Sequence, residues 1–372
     1  RNGDTRVANG DYQGALESYA KALVIREEFA ARDPANTLRQ RDLSVTYERI
    51  GDTNNLLGDT ESALLAQQAA AAIRERLAAL DPTNMLWQRD LSVSYERLGD
   101  LYLAQNDLVA ALEQQERARV LREAIVSLEP QNLPRQRDLG VTLEKIAALK
   151  LSMGDAAGAE TLWIEVTNLR QSLVTADPVV AQYRMDLAYS LGQLSALYAN
   201  QGRHAEAEPM QAQVVQLRNE LLGAAPQDVV RLRDLSIAQN SLAATILSLG
   251  RAEEALTVGR ESLVTVDRLM QVAPDVGEHV HDRLVTLNRV GDAQVALGDH
   301  AAAVGTFQEM VAMGSRLLEI DPYSTSWAND LSIALERQGD AQLNSDDPAG
   351  ALKSHQDGLA LRVCLIQQDS GN

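Results

Sequence analysis

Aspartate recurs at positions 42, 90, 138, 186, 234, 282 and 330, a constant step of 48 (42 to 90, 90 to 138) with no slippage. A fixed period of this length, held without insertions, is the signature of a stacked repeat protein. In such a protein each unit buries its apolar face only against its neighbours. Alanine keeps the same count at Ala15, Ala63, Ala111, Ala159, Ala207, Ala255, Ala303 and Ala351. Proline keeps it at 34, 82, 130, 178, 226, 274 and 322. The period predicts one array over residues 1–372: a partial repeat 1–34, full repeats 35–82, 83–130, 131–178, 179–226, 227–274 and 275–322, and a final repeat 323–372.

The content of one unit is read from residues 36–83. Leu43, Tyr47, Ile50, Asn54 and Leu57 step by four, three, four and three, one stripe along an α-helix. Gly58-Asp59 breaks the pattern, and Asp59 or Thr60 is placed to cap a second helix. That helix carries Ala63, Ala70, Ile73 and Leu77 on its inner side. Asp81-Pro82 closes the unit, because a residue before proline is driven out of the α region. The unit is a helical hairpin with arms of about 22 residues, roughly 33 Å each at 1.5 Å per residue. Reflection about the turn sets Ala63 beside Gly51, so small residues on both arms let the axes approach closely. No segment alternates with period two, so the fold class is all-α.

The spacing of Tyr47, Ile50, Gly51, Ala63, Ala70 and Pro82 resembles that of the tetratricopeptide repeat, and the copy nearest to it is GDYQGALESYAKAL at residues 10–23. The unit is longer than the usual 34 residues. The glycine is kept as Gly51, Gly99, Gly291 and Gly339 but replaced by Ala147, Ser195 and Ala243. The resemblance implies a right-handed superhelical solenoid whose first helices line the concave surface. It also implies a protein-interaction scaffold, often one module of a larger bacterial signalling or defence protein.

Gly3-Asp4 aligns with Gly51-Asp52, and Asp369-Ser370-Gly371-Asn372 with Asp33-Pro34-Ala35-Asn36, so both ends fall inside a repeat and neither carries a polar cap. The expectation is a piece of a longer polypeptide. Thirty-four basic against 52 acidic residues leave a net charge of −18, the wrong sign for a phosphate-binding surface or an anionic membrane. No apolar run reaches 18 residues, so a spanning helix is not expected. A single cysteine, Cys364, excludes an internal disulfide framework and, read as a small hydrophobe of the last helix, fits the reducing cytoplasm.

Catalytic patterns are missing: no glycine-rich phosphate loop, no His-Glu-x-x-His, no nucleophile elbow, no paired cysteines. His279 and His281 are two residues apart, hence on opposing sides of a helix, and cannot share a metal. Neither a cofactor nor catalysis is expected from this segment. Three columns of the repeat remain. Arginine at 26, 74, 122, 170, 218 and 362 keeps the period. Reflection about the inter-repeat turn sets Arg26 opposite Asp42 and Arg74 opposite Asp90, a ladder of ion pairs. The alternative is that each aspartate only favours the positive end of its helix. Val266 and Gly314 replace the arginine, so Asp282 and Asp330 should lack this partner. A second column reads Arg39, Trp87, Arg135, Tyr183, Arg231, His279, Trp327. It suits stacking between repeats, a rim of interaction hot spots at Trp87, Tyr183 and Trp327, or a chance pattern on a solvated face.

The third column, on the first helix away from its stripe, offers a partner surface: Arg41 and Arg89; Glu48, Glu96, Glu144 and Glu336; Asp52, Asp100 and Asp340; with Asn240 and Asn288 between them. The reading is an acidic-ended, neutral-centred groove that binds a basic or mixed-charge protein or peptide segment, within the sensor region of a larger protein. Rival readings are a structural spacer or oligomerisation arm, and a regulatory region of an enzyme whose catalytic domain lies elsewhere.

Overall fold

The computed structural model describes residues 2–274 and 276–369, and every regular element among them is an α-helix. A short α1 (Asn2–Ala8) and α2 (Tyr12–Arg32) lead in. The first helices of the repeats follow as α3 (Thr37–Leu56), α5 (Met85–Ala104), α7 (Leu133–Ser152), α9 (Ala181–Asn200), α11 (Val229–Ser248), α13 (Gly277–Ala296) and α15 (Thr325–Leu343). The second helices are α4 (Thr60–Leu80), α6 (Leu108–Leu128), α8 (Ala156–Ala176), α10 (His204–Ala224), α12 (Ala252–Val272), α14 (His300–Ile320) and α16 (Pro348–Asp369). Boundaries recur in the register of the aspartates to within one residue, so the period does set the hairpins. The arms of the type repeat are 20 and 21 residues, slightly shorter than expected.

Local chemistry fixes each boundary. The Asn36 side chain accepts the amide of Arg39 and opens α3, as Asn84 and Asn132 open α5 and α7. Inside the hairpin, Gly58 turns the chain at φ +80° and Asp59 caps α4 by accepting from Ser62 N. Asn106 and Asp346 take that left-handed conformation in their copies, the residue types that tolerate it next best after glycine. Asp81 is extended at φ −143°, ψ 90°, which stops α4 ahead of Pro82.

The residues group into two compact units, Arg1–Pro178 and Val179–Asn372, divided at a repeat boundary. In both, the eight periodic alanines sit at the hairpin crossings and are buried. Ala70, Ile73 and Leu77 are buried as expected. The first-helix stripe is only partly as read: Leu43 and Asn54 are buried, Tyr47 and Ile50 half-buried, and Leu57 exposed. The face that α3 buries most fully also carries Ser44, Thr46, Gly51 and Thr53. Within a unit, α3 is packed on both α2 and α4, so its buried arc is wider than one stripe. Small hydroxyl residues fill it because an arginine head reaches into that crevice.

Gly51, one of the small residues at the crossing, makes room for a planar side chain of the second helix. A methyl on Gly51 would meet Gln67 at 2.8 Å, and one on Gly99 would meet Gln115 at 2.6 Å. Gly291 lies under the ring of Phe307, and Gly339 under His355. The side chain of Cys364, and residues 370–372 at the end of the chain, lie outside the described residues.

Candidate functional site

The arginine register is real, but its partner differs from expectation. Arg74 is 3% exposed. Its Nη1 donates to the backbone carbonyl of Asp90 at 3.0 Å and to Ser94 Oγ at 2.8 Å, not to the Asp90 carboxylate. Arg26 and Arg122 likewise reach the carbonyls of Asp42 and Asp138 and the hydroxyls of Thr46 and Thr142. The other edge of the guanidinium holds a carboxylate of its own hairpin: Arg74 binds Glu48, Arg122 binds Glu96, Arg170 binds Glu144 and Arg362 binds Glu336. Reflection about a turn gives the level of a side chain along the axis, not the direction it points, and here that distinction decides which atom is met. Arg218 and Asp234 do form the ion pair that the register predicts.

Three of the ladder aspartates, Asp90, Asp282 and Asp330, are held by the preceding first helix. Arg41 Nε reaches Asp90 at 2.7 Å, and Arg233 reaches Asp282 at 2.8 Å. His281 takes the same place against Asp330 at 2.7 Å. Asp282 and Asp330, which lack an arginine from the second helix, are therefore paired all the same.

A further ladder runs along the first helices. Arg97 binds Glu48 and Asp52, each at 2.9 Å, and Lys145 binds Glu96 and Asp100, each at 2.7 Å. Arg49 approaches Asp4 at 3.5 Å and Arg337 approaches Asp292 at 3.8 Å. Glu48, Asp52, Glu96 and Asp100, expected to present free charge to a basic partner, are neutralised within the protein. Glu144 and Glu336 are held by their arginines, and Asp340 lies 3.6 Å from His355. Asn240 and Asn288 are engaged as well, donating to Thr286 Oγ1 and to Asp292.

Titration reflects this packing. Burial raises Asp100 above its ordinary value, against the pull of Lys145, and raises Asp52 against Arg97. Burial alone would raise Glu96 too, but Arg122 and Lys145 together hold it below its ordinary value. Burial raises Asp292, because Arg337 and Arg289 stay about 4 Å away and compensate only in part. A raised aspartate stabilises the fold below the ordinary aspartate range and loses that contribution as pH rises through its folded value. Asp292→Asn should therefore be more stable than the parent at pH 7. The advantage should vanish as pH approaches about 4, which urea unfolding across a pH series will read.

The planar column is not an exposed rim. Trp87 packs on Ala30, Leu43, Ile73 and Leu77, Trp327 packs beside Leu317 and Ala334, and Tyr183 is buried. His279 is buried with its imidazole against the Ala273 carbonyl. Arg39 lies over Phe29, a ring of the preceding helix, and not over the next member of its column. These side chains seal the inter-repeat turn. No group of histidine, cysteine and carboxylate among the described residues can hold a metal, and no described helix is long and apolar enough to cross a membrane.

Within the second unit the first-helix ladder is broken. Where α3 and α5 carry Glu48, Asp52 and Arg97, α9 and α11 carry Gly192, Ala196 and Ser241. Their neighbours in the column at position 45 are then more open to solvent: Tyr189 is 43% and Ile237 48% exposed, while Val45, Val93, Val141, Val285 and Ile333 are half-buried. Beside them a cavity of 210 Å³ opens between α9, α10 and α11. The sequence held a signal for this: cations at 49, 97, 145, 289 and 337 share one register that lapses at Gln193 and Ser241. The acids at 48 and 52 are both missing in the same two copies, and one of them is missing in each flanking copy, at Ala148 and Asn288.

Residues 187–228 match the tetratricopeptide repeat family. The match covers one hairpin and the start of the next, and the other hairpins repeat that architecture in the same register. BtubC (BKLC) from P. vanneervenii is similar in structure, with a TM-score of 0.53 at 18% identity over 71% of this chain and 93% of that one. The signal transduction ATPase with numerous domains from Pyrococcus horikoshii, which has a tetratricopeptide repeat sensor, gives a TM-score of 0.59 at 10% identity. That likeness covers 96% of this chain and 54% of the ATPase. At these identities the comparisons establish the all-α repeat solenoid and no more. No curated protein matches the sequence.

Proposed function

We propose that this tetratricopeptide array is a protein- or peptide-binding scaffold whose contact surface is the first-helix face of the second unit. One observation carries the reading: the ion ladder that covers this face elsewhere is interrupted at α9 and α11, leaving Tyr189 and Ile237 exposed. A spacer gains nothing from a patterned break, whereas an exposed apolar and aromatic strip beside a cavity is what a binding surface needs. The occupant is an extended or helical protein segment held by apolar contact. This replaces the expected basic segment, because the acidic ends are already paired with Arg74, Arg97, Arg122 and Lys145. The finer reading, a sensor region of a larger signalling protein, rests on likeness in fold to the P. horikoshii sensor.

Selection of displayed dodecamer peptides on the full chain tests the surface. Peptides recovered should lose at least tenfold in affinity on Ile237→Asp and keep it on Val264→Asp, an exposed change on the second helix α12. Equal loss at both positions, or no peptide recovered, sinks the reading.

A further inference from the structure

Gln211 is 6% exposed, lines the cavity between α9, α10 and α11, and its side-chain Oε1 is buried with no hydrogen-bond partner among the described residues. In the first unit the Oε1 of Gln67 and of Gln115 is unpartnered too, so Gln211 differs at its Nε2. Gln67 Nε2 donates to the Glu48 carbonyl at 3.2 Å and to Asp52 at 2.9 Å, and Gln115 does the same to Glu96 and Asp100. At Gln211 one acceptor is gone and the other is engaged elsewhere. Ala196 stands where Asp52 and Asp100 stand, and the Gly192 carbonyl accepts from Ser195 Oγ at 2.9 Å. A buried carboxamide oxygen without a donor costs stability, and the Gln211 Nε2 has lost its usual protein acceptors as well. Gln211 is therefore a pointer to an occupant.

The surroundings limit what that occupant is. At 210 Å³ the cavity is smaller than the ~300–1,000 Å³ of sites that enclose a whole small ligand, so it suits one side chain of a longer segment. Arg218 and Asp234 line it as a matched pair, so an added carboxylate would face Asp234 and an added cation would face Arg218. Either charge would have to be desolvated without a free partner. The walls at Ala188, Val214 and Ile237 are apolar. Gly192 leaves the way in open, since a Cβ there would meet nothing within 4 Å.

We infer that this cavity receives an uncharged carboxamide side chain, glutamine or asparagine, from the bound protein segment. A second carboxamide set head to tail against Gln211 accepts from its Nε2 and donates to its Oε1, with the terminal torsion of Gln211 free to present both atoms. A hydroxyl can meet both only through a single oxygen, with two bent hydrogen bonds in place of two straight ones. The inference rests on the peptide-binding reading and deepens it.

Positional scanning of a dodecamer selected on the full chain is the test. One position should prefer glutamine or asparagine over leucine and over glutamate by tenfold or more. Gln211→Met, which keeps the shape of the side chain and removes its amide, should reduce that preference below twofold while the leucine-substituted peptide binds as before. Gly192→Met, which projects into open space, should abolish the preference by closing the entrance, and it serves where Gln211→Met does not fold. Peptides that bind with no amide preference, or with one that survives both changes, overturn the inference and leave the scaffold standing. If no peptide binds at all, both readings fall.

Discussion

Replacing Arg74 with methionine should destabilise the first unit by about 3 kcal/mol, within the range seen when one partner of a buried ion pair is removed. The methionine keeps the apolar stem, so the loss belongs to the guanidinium head. That head joins three elements: Glu48 and Ser44 of α3, and the Asp90 carbonyl and Ser94 hydroxyl of α5, are all reached from α4. Without it the carbonyl and the hydroxyl lose a donor, and Glu48 keeps only Arg97 at 2.9 Å. The double change Arg74→Met with Glu48→Met should recover much of the loss, because no carboxylate is then left short of its partner and Arg97 still holds Asp52. Urea unfolding followed by circular dichroism checks both. A double variant no better than Arg74→Met alone means that the crevice is held by packing and not by charge. The exposed pair Arg32–Glu28 supplies the contrast, since removing it should change stability by less than about 1 kcal/mol.

The contrast between Arg74 and its expected partner shows what is legible in the sequence. The repeat period locates each hairpin, its turn and its crossing, because those depend on one repeat alone. Ala63, Asp59, Gly58 and Pro82 each act within that unit, and spacing places each of them correctly. Contacts between repeats depend on azimuth, the direction in which a side chain leaves its helix, and a one-dimensional count does not carry azimuth. Spacing assigns Asp90 to the second helix before it, whereas Arg41, on the first helix of the preceding repeat, is the residue that reaches it. The acids Glu48 and Asp100 look like a free surface for the same reason. Their cations, Arg97 and Lys145, come from the first helix of the following repeat. The candidate cavity is hidden more deeply still: it is marked by what three columns lack together at Gly192, Gln193 and Ala196, and only Gln211, a residue left without its usual acceptors, gives it chemical character.

Phe307→Ala should cost about 3–5 kcal/mol, the range for truncating a large buried aromatic, and Gly291→Ala about 1–3 kcal/mol by overpacking. The ring of Phe307 is 1% exposed and lies directly over Gly291, so that an added methyl there overlaps it. The ring also sits in the cluster formed by Leu284, Leu287, Ala303 and Met310, so its removal leaves a cavity that α13 and α14 cannot close. The two changes are not independent. Once the ring is gone, the methyl that Gly291→Ala adds enters the vacated space, so the overpacking cost disappears and a small part of the cavity is filled. The double variant should therefore be no less stable than Phe307→Ala alone, giving a coupling of at least the whole cost of Gly291→Ala. The same pairing explains why glycine is present at 3, 51, 99, 291 and 339, where Tyr19, Gln67, Gln115, Phe307 and His355 lie across it. Where the first helix carries Ala243, the register position on the second helix is Gly259, and a methyl there would instead meet Val290 of α13 at 3.0 Å. Strict additivity in the Phe307 and Gly291 cycle, measured by urea unfolding, would show that the glycine answers to the helix backbone and not to the ring.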